Sequence, residues 1–215
     1  MNYKCLILDH DDTTVDSTAT IHYPSFISSM AVLRPEVSMS LEEYFQMNCD
    51  PGILNYYRDV VKLTEEEMRW EHSQWLAYAA AHTPKPFPGM KELMLEHKQN
   101  GGYICVVSHN LKENILRDYE RNGLPAPDLI FGSDYPKEQQ KPSTWPIEQI
   151  MEQLRLQKQD LLMVDDLLPG YEMAKNAGIA FAAACWAHDV ASVRKVFAED
   201  HIPCLYEPLE LADLK

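Results

Sequence analysis

Three short apolar runs each stop abruptly at polar residues, and this shared pattern constrains the fold more than any other feature of the chain. Tyr3-Lys4-Cys5-Leu6-Ile7-Leu8 runs into Asp9, Tyr103-Ile104-Cys105-Val106-Val107 into Ser108-His109-Asn110, and Leu161-Leu162-Met163-Val164 into Asp165-Asp166. Continuous apolar runs of this length read as strands covered on both faces, which is how the strands of a parallel sheet read. Helical patterns separate them: Met90 to Gln99, Asn110 to Asn122 with Gly123 as its stop, a helix opened by Pro146, and Gly170 to Ala177 stopped by Gly178. Leu129-Ile130-Phe131 and Ala180 to Cys185 are two further strand candidates. Repeated βα units of this kind predict an α/β fold, a Rossmann-like parallel sheet whose ligands sit beyond the carboxyl ends of the strands. All three polar clusters then converge on one edge. A loop lysine, Lys141 in Gln140-Lys141-Pro142-Ser143, can reach the same edge.

Between the first and second of these strands the pattern is helical throughout. Ser40 with Glu43 and Thr64 with Glu67 have the spacing of capping boxes, and Asp50-Pro51-Gly52 breaks the chain between them. Within the helix after Thr64, the residues Met68, His72, Trp75, Leu76 and Ala79 form the expected buried stripe. Trp70, Trp75 and Tyr78 are expected in the core of this region rather than in a substrate cage. In the helix from Asn110 the stripe is Leu111, Ile115, Leu116 and Tyr119. Pro84-Lys85-Pro86-Phe87-Pro88-Gly89 reads as the hinge back into the sheet domain. The expected organisation is a core of residues 1–17 and 88–215 with a small α-helical cap, residues 18–87, inserted after the first strand.

The segment from Asp9 to Thr18 crowds four carboxylates, Asp9, Asp11, Asp12 and Asp16, at the end of a buried strand. Ionised carboxylates near an apolar interior repel one another and resist desolvation, so they call for a cation, strong hydrogen bonds or a proton. Asp9 and Asp11 share a face if the segment is extended, and oxygen-only ligation favours a hard cation, Mg²⁺ first. A polar turn, in which Asp and Thr act as caps, is the competing reading. By themselves, Ser108 also reads as a helix cap and Lys141 as a solvated loop charge.

A net charge of −14 argues against nucleic acid or an anionic membrane as the principal partner. No apolar stretch reaches membrane-spanning length and the N-terminus lacks the regions of a signal peptide, so a cytoplasmic protein is expected. The cysteines, Cys5, Cys49, Cys105, Cys185 and Cys204, have neither a disulfide nor a zinc spacing and read as reduced packing residues.

Taken in order, Asp9-His10-Asp11-Asp12-Thr13, Ser108 after its strand, Lys141-Pro142, and Asp165-Asp166 resemble the four motifs of the haloacid dehalogenase superfamily. The resemblance is to its phosphatase-like members with a helical C1-type cap, and it implies that family's α/β fold over nearly the whole chain. It implies a Mg²⁺-dependent phosphatase acting on a small phosphorylated metabolite through an aspartyl-phosphate. Asp9 would be the nucleophile and Asp11 the general acid and base, while Ser108, His109 and Lys141 would bind the phosphoryl group. The metal would be held by Asp9, the Asp11 carbonyl and Asp166, with Asp165 nearby. A sugar-phosphate mutase or phosphotransferase would use the same Asp9 and Asp11, and a non-catalytic binding protein on this fold is a further alternative. Monomer and homodimer are both compatible. Two positions depart from the family pattern: Asp12 stands where Gly is common, and Gly170 where some members carry an acid.

Overall fold

The computed structural model describes residues 2–214 of the chain. They form two compact units, one of residues up to Asp16 with Lys85–Ala187 and from Val193 on, the other of Ser17–Pro84 with His188–Ser192. The short stretch His188–Ser192, counted with the core on sequence, therefore clusters with the helical unit.

The first unit is built on six parallel strands: β1 (Cys5–Leu8), β2 (Tyr103–Val107), β3 (Leu129–Phe131), β4 (Leu161–Asp165), β5 (Ala180–Ala184) and β6 (Cys204–Leu205). Their order in the sheet is β3-β2-β1-β4-β5-β6. The chain thus builds outward from β1 on one side, then crosses back to build on the other, and the reversal lies between β1 and β4. Sheets of this order hold their ligands at that reversal, beyond the carboxyl ends of the strands. Leu8 is in register with Val106 of β2 and Val164 of β4, so the residues following all three strands emerge at one level. β1 is completely buried, as its uninterrupted apolar sequence requires.

In the helical unit lie α1 (Tyr23–Leu33), α2 (Leu41–Cys49), α3 (Ile53–Asn55) and α4 (Glu65–Ala81). Both capping boxes form: Ser40 and Glu43 open α2, and Thr64 and Glu67 open α4, each side chain bonded to the other residue's backbone N–H. Glu67 also takes a two-pronged contact from Arg34, at 2.8 and 3.0 Å. The core of this unit is Phe26, Met30, Tyr44, Met47, Tyr57, Val61 and Leu63, without the Trp70, Trp75 and Tyr78 group expected there. Nor is the stripe of α4 the expected one. His72 and Leu76 face solvent, and the buried positions are Glu71 and Ala79. The cause is a partner from elsewhere: the Tyr57 hydroxyl donates to Glu71 Oε1 at 2.7 Å. Burial pushes the Glu71 carboxyl above its usual range.

Back in the sheet unit, α5 (Met90–Gln99), α6 (Lys112–Asn122), α7 (Trp145–Leu154), α8 (Leu168–Ala177) and α9 (Ala191–Glu199) follow in order, α9 beginning at the end of the His188–Ser192 stretch. Gly123 and Gly178 end α6 and α8 in the left-handed conformation. The stripe of α6 also shifts. Leu111 and Leu116 are exposed, while Ile115, Asp118 and Tyr119 are buried. Cys5 and Cys105 are buried as free thiols, 3.6 Å apart. Among the described residues no helix is long and apolar enough to cross a membrane.

Candidate active site

Immediately after β1 the chain abandons extended geometry for a tight turn. Thr14 N–H and Val15 N–H both donate to the His10 carbonyl, and Asp12 N–H donates to the Val15 carbonyl. Asp12 takes a left-handed backbone, φ +58°, which is the physical reason glycine suits this position. Aspartate is among the few other residues that accept it cheaply. Asp9 points to the sheet end, whereas the Asp11 carboxylate is held by Asn110 Nδ2, at 3.0 and 3.2 Å.

Asp9, Asp165 and Asp166 bring carboxylate oxygens within 4.8 Å of one another, all three buried. Lys141 stands among them, with Nζ 2.6 Å from Asp165 Oδ2 and 3.0 Å from Asp9 Oδ1. The second contact is an ion pair without hydrogen-bond alignment, so Asp9 Oδ1 is a buried oxygen that accepts no well-formed hydrogen bond. Asp165 has both oxygens engaged, since Oδ1 accepts from Leu167 N–H at 2.9 Å. Asp166 Oδ1 accepts from Thr13 Oγ1 at 3.1 Å, and the Thr13 carbonyl accepts from Trp186 Nε1.

The electrostatics follow from this crowding. Burial pushes the Asp9 carboxyl above its usual range, with Asp166 and Asp11 adding to the shift and Lys141 opposing it. Burial and the negative charges of Asp9 and Asp166 push Asp165 well up as well, again against Lys141. Burial works against the Lys141 ammonium, but Asp165 and Asp9 outweigh it and its pKa rises. Three carboxylates against one ammonium leave an excess of two negative charges in a buried place. An oxygen-only donor set, that excess and an Asp9 Oδ1 that accepts no aligned hydrogen bond together fit a hard divalent cation.

Ser108 is buried at the end of β2, and its Oγ accepts from Asn110 N–H at 3.2 Å. The amides at the start of α6 are already spoken for. Leu111 N–H donates to Asn110 Oδ1 and Lys112 N–H to Asp134 Oδ2, so the first donors at this helix start are occupied. His109 is exposed, and its Nε2 bonds the Lys141 carbonyl at 3.1 Å, tying the β2 loop to the lysine loop.

Gly170 explains its own departure. A Cβ there would lie 2.1 Å from Asp165 Oδ2, so the first turn of α8 leaves the space that the Asp165 carboxylate fills. Gly170→Ala is expected to push Asp165 off Lys141, lowering stability by about 1–3 kcal/mol through overpacking and turnover by about tenfold or more through misplacement of the lysine. Thermal denaturation and steady-state kinetics on the same preparation check this. Gly170 and Asn110 carry no assigned role on sequence, although Asn110 sits inside a polar cluster that the sequence does mark.

Residues 6–184 match the family model described as haloacid dehalogenase-like hydrolase. The chain belongs to this family. Solved structures share its fold over nearly the full length. A predicted phosphoglycolate phosphatase from Haemophilus somnus 129PT superimposes with a TM-score of 0.82 at 17% identity, covering 99% of this chain and 98% of that one. A haloacid dehalogenase-like protein from Agrobacterium tumefaciens gives 0.80 at 16% identity, with 98% and 96% covered. CbbY from Rhodobacter sphaeroides, solved in complex with phosphate, gives 0.68 at 21% identity, with 97% and 96% covered. At such identities the likeness establishes a common fold. No curated protein sequence matches the chain.

Proposed function

We propose that this haloacid dehalogenase-like hydrolase is a Mg²⁺-dependent phosphatase that hydrolyses the phosphomonoester of a small metabolite. The observation that carries the reading is Lys141 wedged between Asp9 and Asp165 beside Asp166, at the sheet reversal. Asp9, through a carboxylate oxygen, Asp11, through its carbonyl, and Asp166 are the residues to hold the cation, and Asp165 serves by fixing Lys141. Mg²⁺ bound there supplies charge neutralisation to Asp9 and to the phosphoryl oxygens.

In the first half-reaction an Asp9 oxygen bonds to phosphorus while the ester P–O bond breaks, and Asp11 gives its proton to the departing alcohol oxygen. In the second, Asp11 takes a proton from water as the water oxygen bonds to phosphorus and the Asp9–phosphorus bond breaks, releasing inorganic phosphate. Lys141, the Ser108 hydroxyl and the His109 N–H bind the phosphoryl oxygens; that amide has no other partner in the described residues. Residues 18–87 are the proposed cap, the part of the chain that chooses the substrate. The phosphate-bound CbbY structure supports a phosphoryl ligand for this fold.

Phosphate release from a panel of small phosphomonoesters tests the reading. Release with Mg²⁺, loss of at least about 10²-fold with EDTA, recovery on adding Mg²⁺ back, and a Mg²⁺-dependent rise in melting temperature are the expected results. A mutase would instead isomerise a sugar phosphate without net phosphate release.

A further inference from the structure

A line of polar contacts begins at Asp11, passes through Asn110 in the loop before α6, runs along one face of that helix and returns to Asp11's neighbour His10. Asn110 Nδ2 donates to both oxygens of Asp11. Asn114 Nδ2 donates to Asn110 Oδ1 at 2.9 Å, and Arg117 Nη1 donates to Asn114 Oδ1 at 3.1 Å. Arg117 Nε donates to Asp118 Oδ1 at 3.0 Å, and Asp118 Oδ2 lies 3.2 Å from His10 Nε2. Within α6, helical spacing sets Asn114 beside Arg117 and Asp118, and Asn110 meets Asn114 from the loop just ahead of the helix.

Every amide in this line has its direction forced. An arginine offers only donors and a carboxylate only acceptors. Asn114 must therefore turn its oxygen to Arg117 and its nitrogen to Asn110. Asn110 must offer its oxygen to Asn114, and Leu111 N–H, 2.8 Å from that same oxygen, enforces the same choice. The Asn110 NH₂ group is left facing Asp11. The far end is anchored in the interior, where Asp118 and His10 are 2% and 0% exposed.

We propose that Asn110 is a positioning residue for Asp11, locked by Asn114 and Arg117 so that a hydrogen-bond donor meets the Asp11 carboxylate as its proton leaves for the departing alcohol. The proposal rests on Asp11 as the proton donor of the phosphatase reading. As the ester P–O bond breaks, the proton moves from Asp11 to the bridging oxygen and negative charge develops on Asp11. A donor already in place receives that charge without reorganisation.

A leaving-group series tests this, from p-nitrophenyl phosphate to phenyl phosphate, with kcat/KM measured in Mg²⁺ for wild type, Asn110→Leu and Asn114→Asp. A good leaving group needs little proton donation and a poor one needs much. Asn110→Leu is expected to lose about threefold on p-nitrophenyl phosphate and about 10²-fold on phenyl phosphate. Asn114→Asp, which still accepts from Arg117 but cannot donate to Asn110, is expected to lose about tenfold on phenyl phosphate alone. Equal losses on both esters by folded variants overturn the proposal and leave the phosphatase reading standing. No hydrolysis of either ester by wild type overturns both. If Asn110→Leu loses its circular dichroism signature, Asn114→Asp decides the matter alone.

Discussion

Asp9→Asn is expected to lower phosphate release by about 10⁴-fold or more and, in the metal-free protein, to raise thermal stability. The two effects have one origin. The Asp9 carboxylate is buried in a cluster with Asp165 and Asp166, and burial, with the charges of Asp166 and Asp11, holds its pKa above the usual value despite Lys141. An ionised group in that position burdens the folded state at neutral pH. An amide keeps the shape, removes the charge and cannot form the phospho-enzyme. The sign can be checked by pH. Between the unfolded-state pKa of 3.8 and the raised folded value, the native state binds more protons than the unfolded one, so wild-type stability falls as pH rises through that window. The variant lacks this loss. Its advantage, measured by urea denaturation in EDTA, should be present at pH 7 and fade as pH drops toward 3.8. An Asp9→Asn protein that released phosphate within tenfold of wild type would sink the assignment of the nucleophile.

Lys141→Ala is expected to cost stability as well as activity, the opposite pairing. Its side chain is 4% exposed and contacts Asp165 and Asp9. Removing the ammonium leaves buried carboxylates without their counter-charge, at about 3–5 kcal/mol, and takes a positive charge from the proposed phosphoryl site, worth about 10²–10³ in kcat/KM. Saturating Mg²⁺ should recover part of the melting temperature by supplying positive charge to the same carboxylates. It should not restore kcat/KM, because the lysine's place on the phosphoryl oxygens stays empty. Recovery of both would mean that Lys141 acts only as a structural counter-ion.

The opposite stability effects expected of these variants have one structural cause. Asp9, Asp165 and Asp166 are brought together at the reversal of the sheet because β1 and β4 are neighbours in register, and a buried strand end is where a carboxylate loses water. The fold therefore creates the repulsion, and Lys141 offsets part of it. Destabilisation at Asp9 is the cost of holding a carboxylate in a dry place.

Much of this was legible in residue order. Strands announced themselves as apolar runs, and both capping boxes formed where Ser40 and Thr64 stand three residues before Glu43 and Glu67. Such features rest on contacts within a turn or on the alternation along a strand, so a short window contains their whole cause. The convergence of Asp9, Ser108 and Asp165-Asp166 on one edge also followed, because parallel strands end on the same side. Hydropathy spacing failed on two helices for one reason. In α4 and α6 the expected stripes placed Leu76, Leu111 and Leu116 inward, yet the buried positions include Glu71 and Asp118. Each acid is kept inside by a partner distant in sequence, Tyr57 for one and His10 for the other.

Residue order sufficed for the α/β architecture, the four motifs and the acidic, oxygen-only character of the site, since these depend on local periodicity and on the chemistry of single residue types. Folding alone settled that the Asp11 carboxylate meets Asn110, that Asp165 is committed to Lys141, and that Gly170 makes room for it. Those outcomes depend on which side chains meet across the sheet and how much space lies between them. No spacing along the chain encodes a distance between residues that only folding brings together.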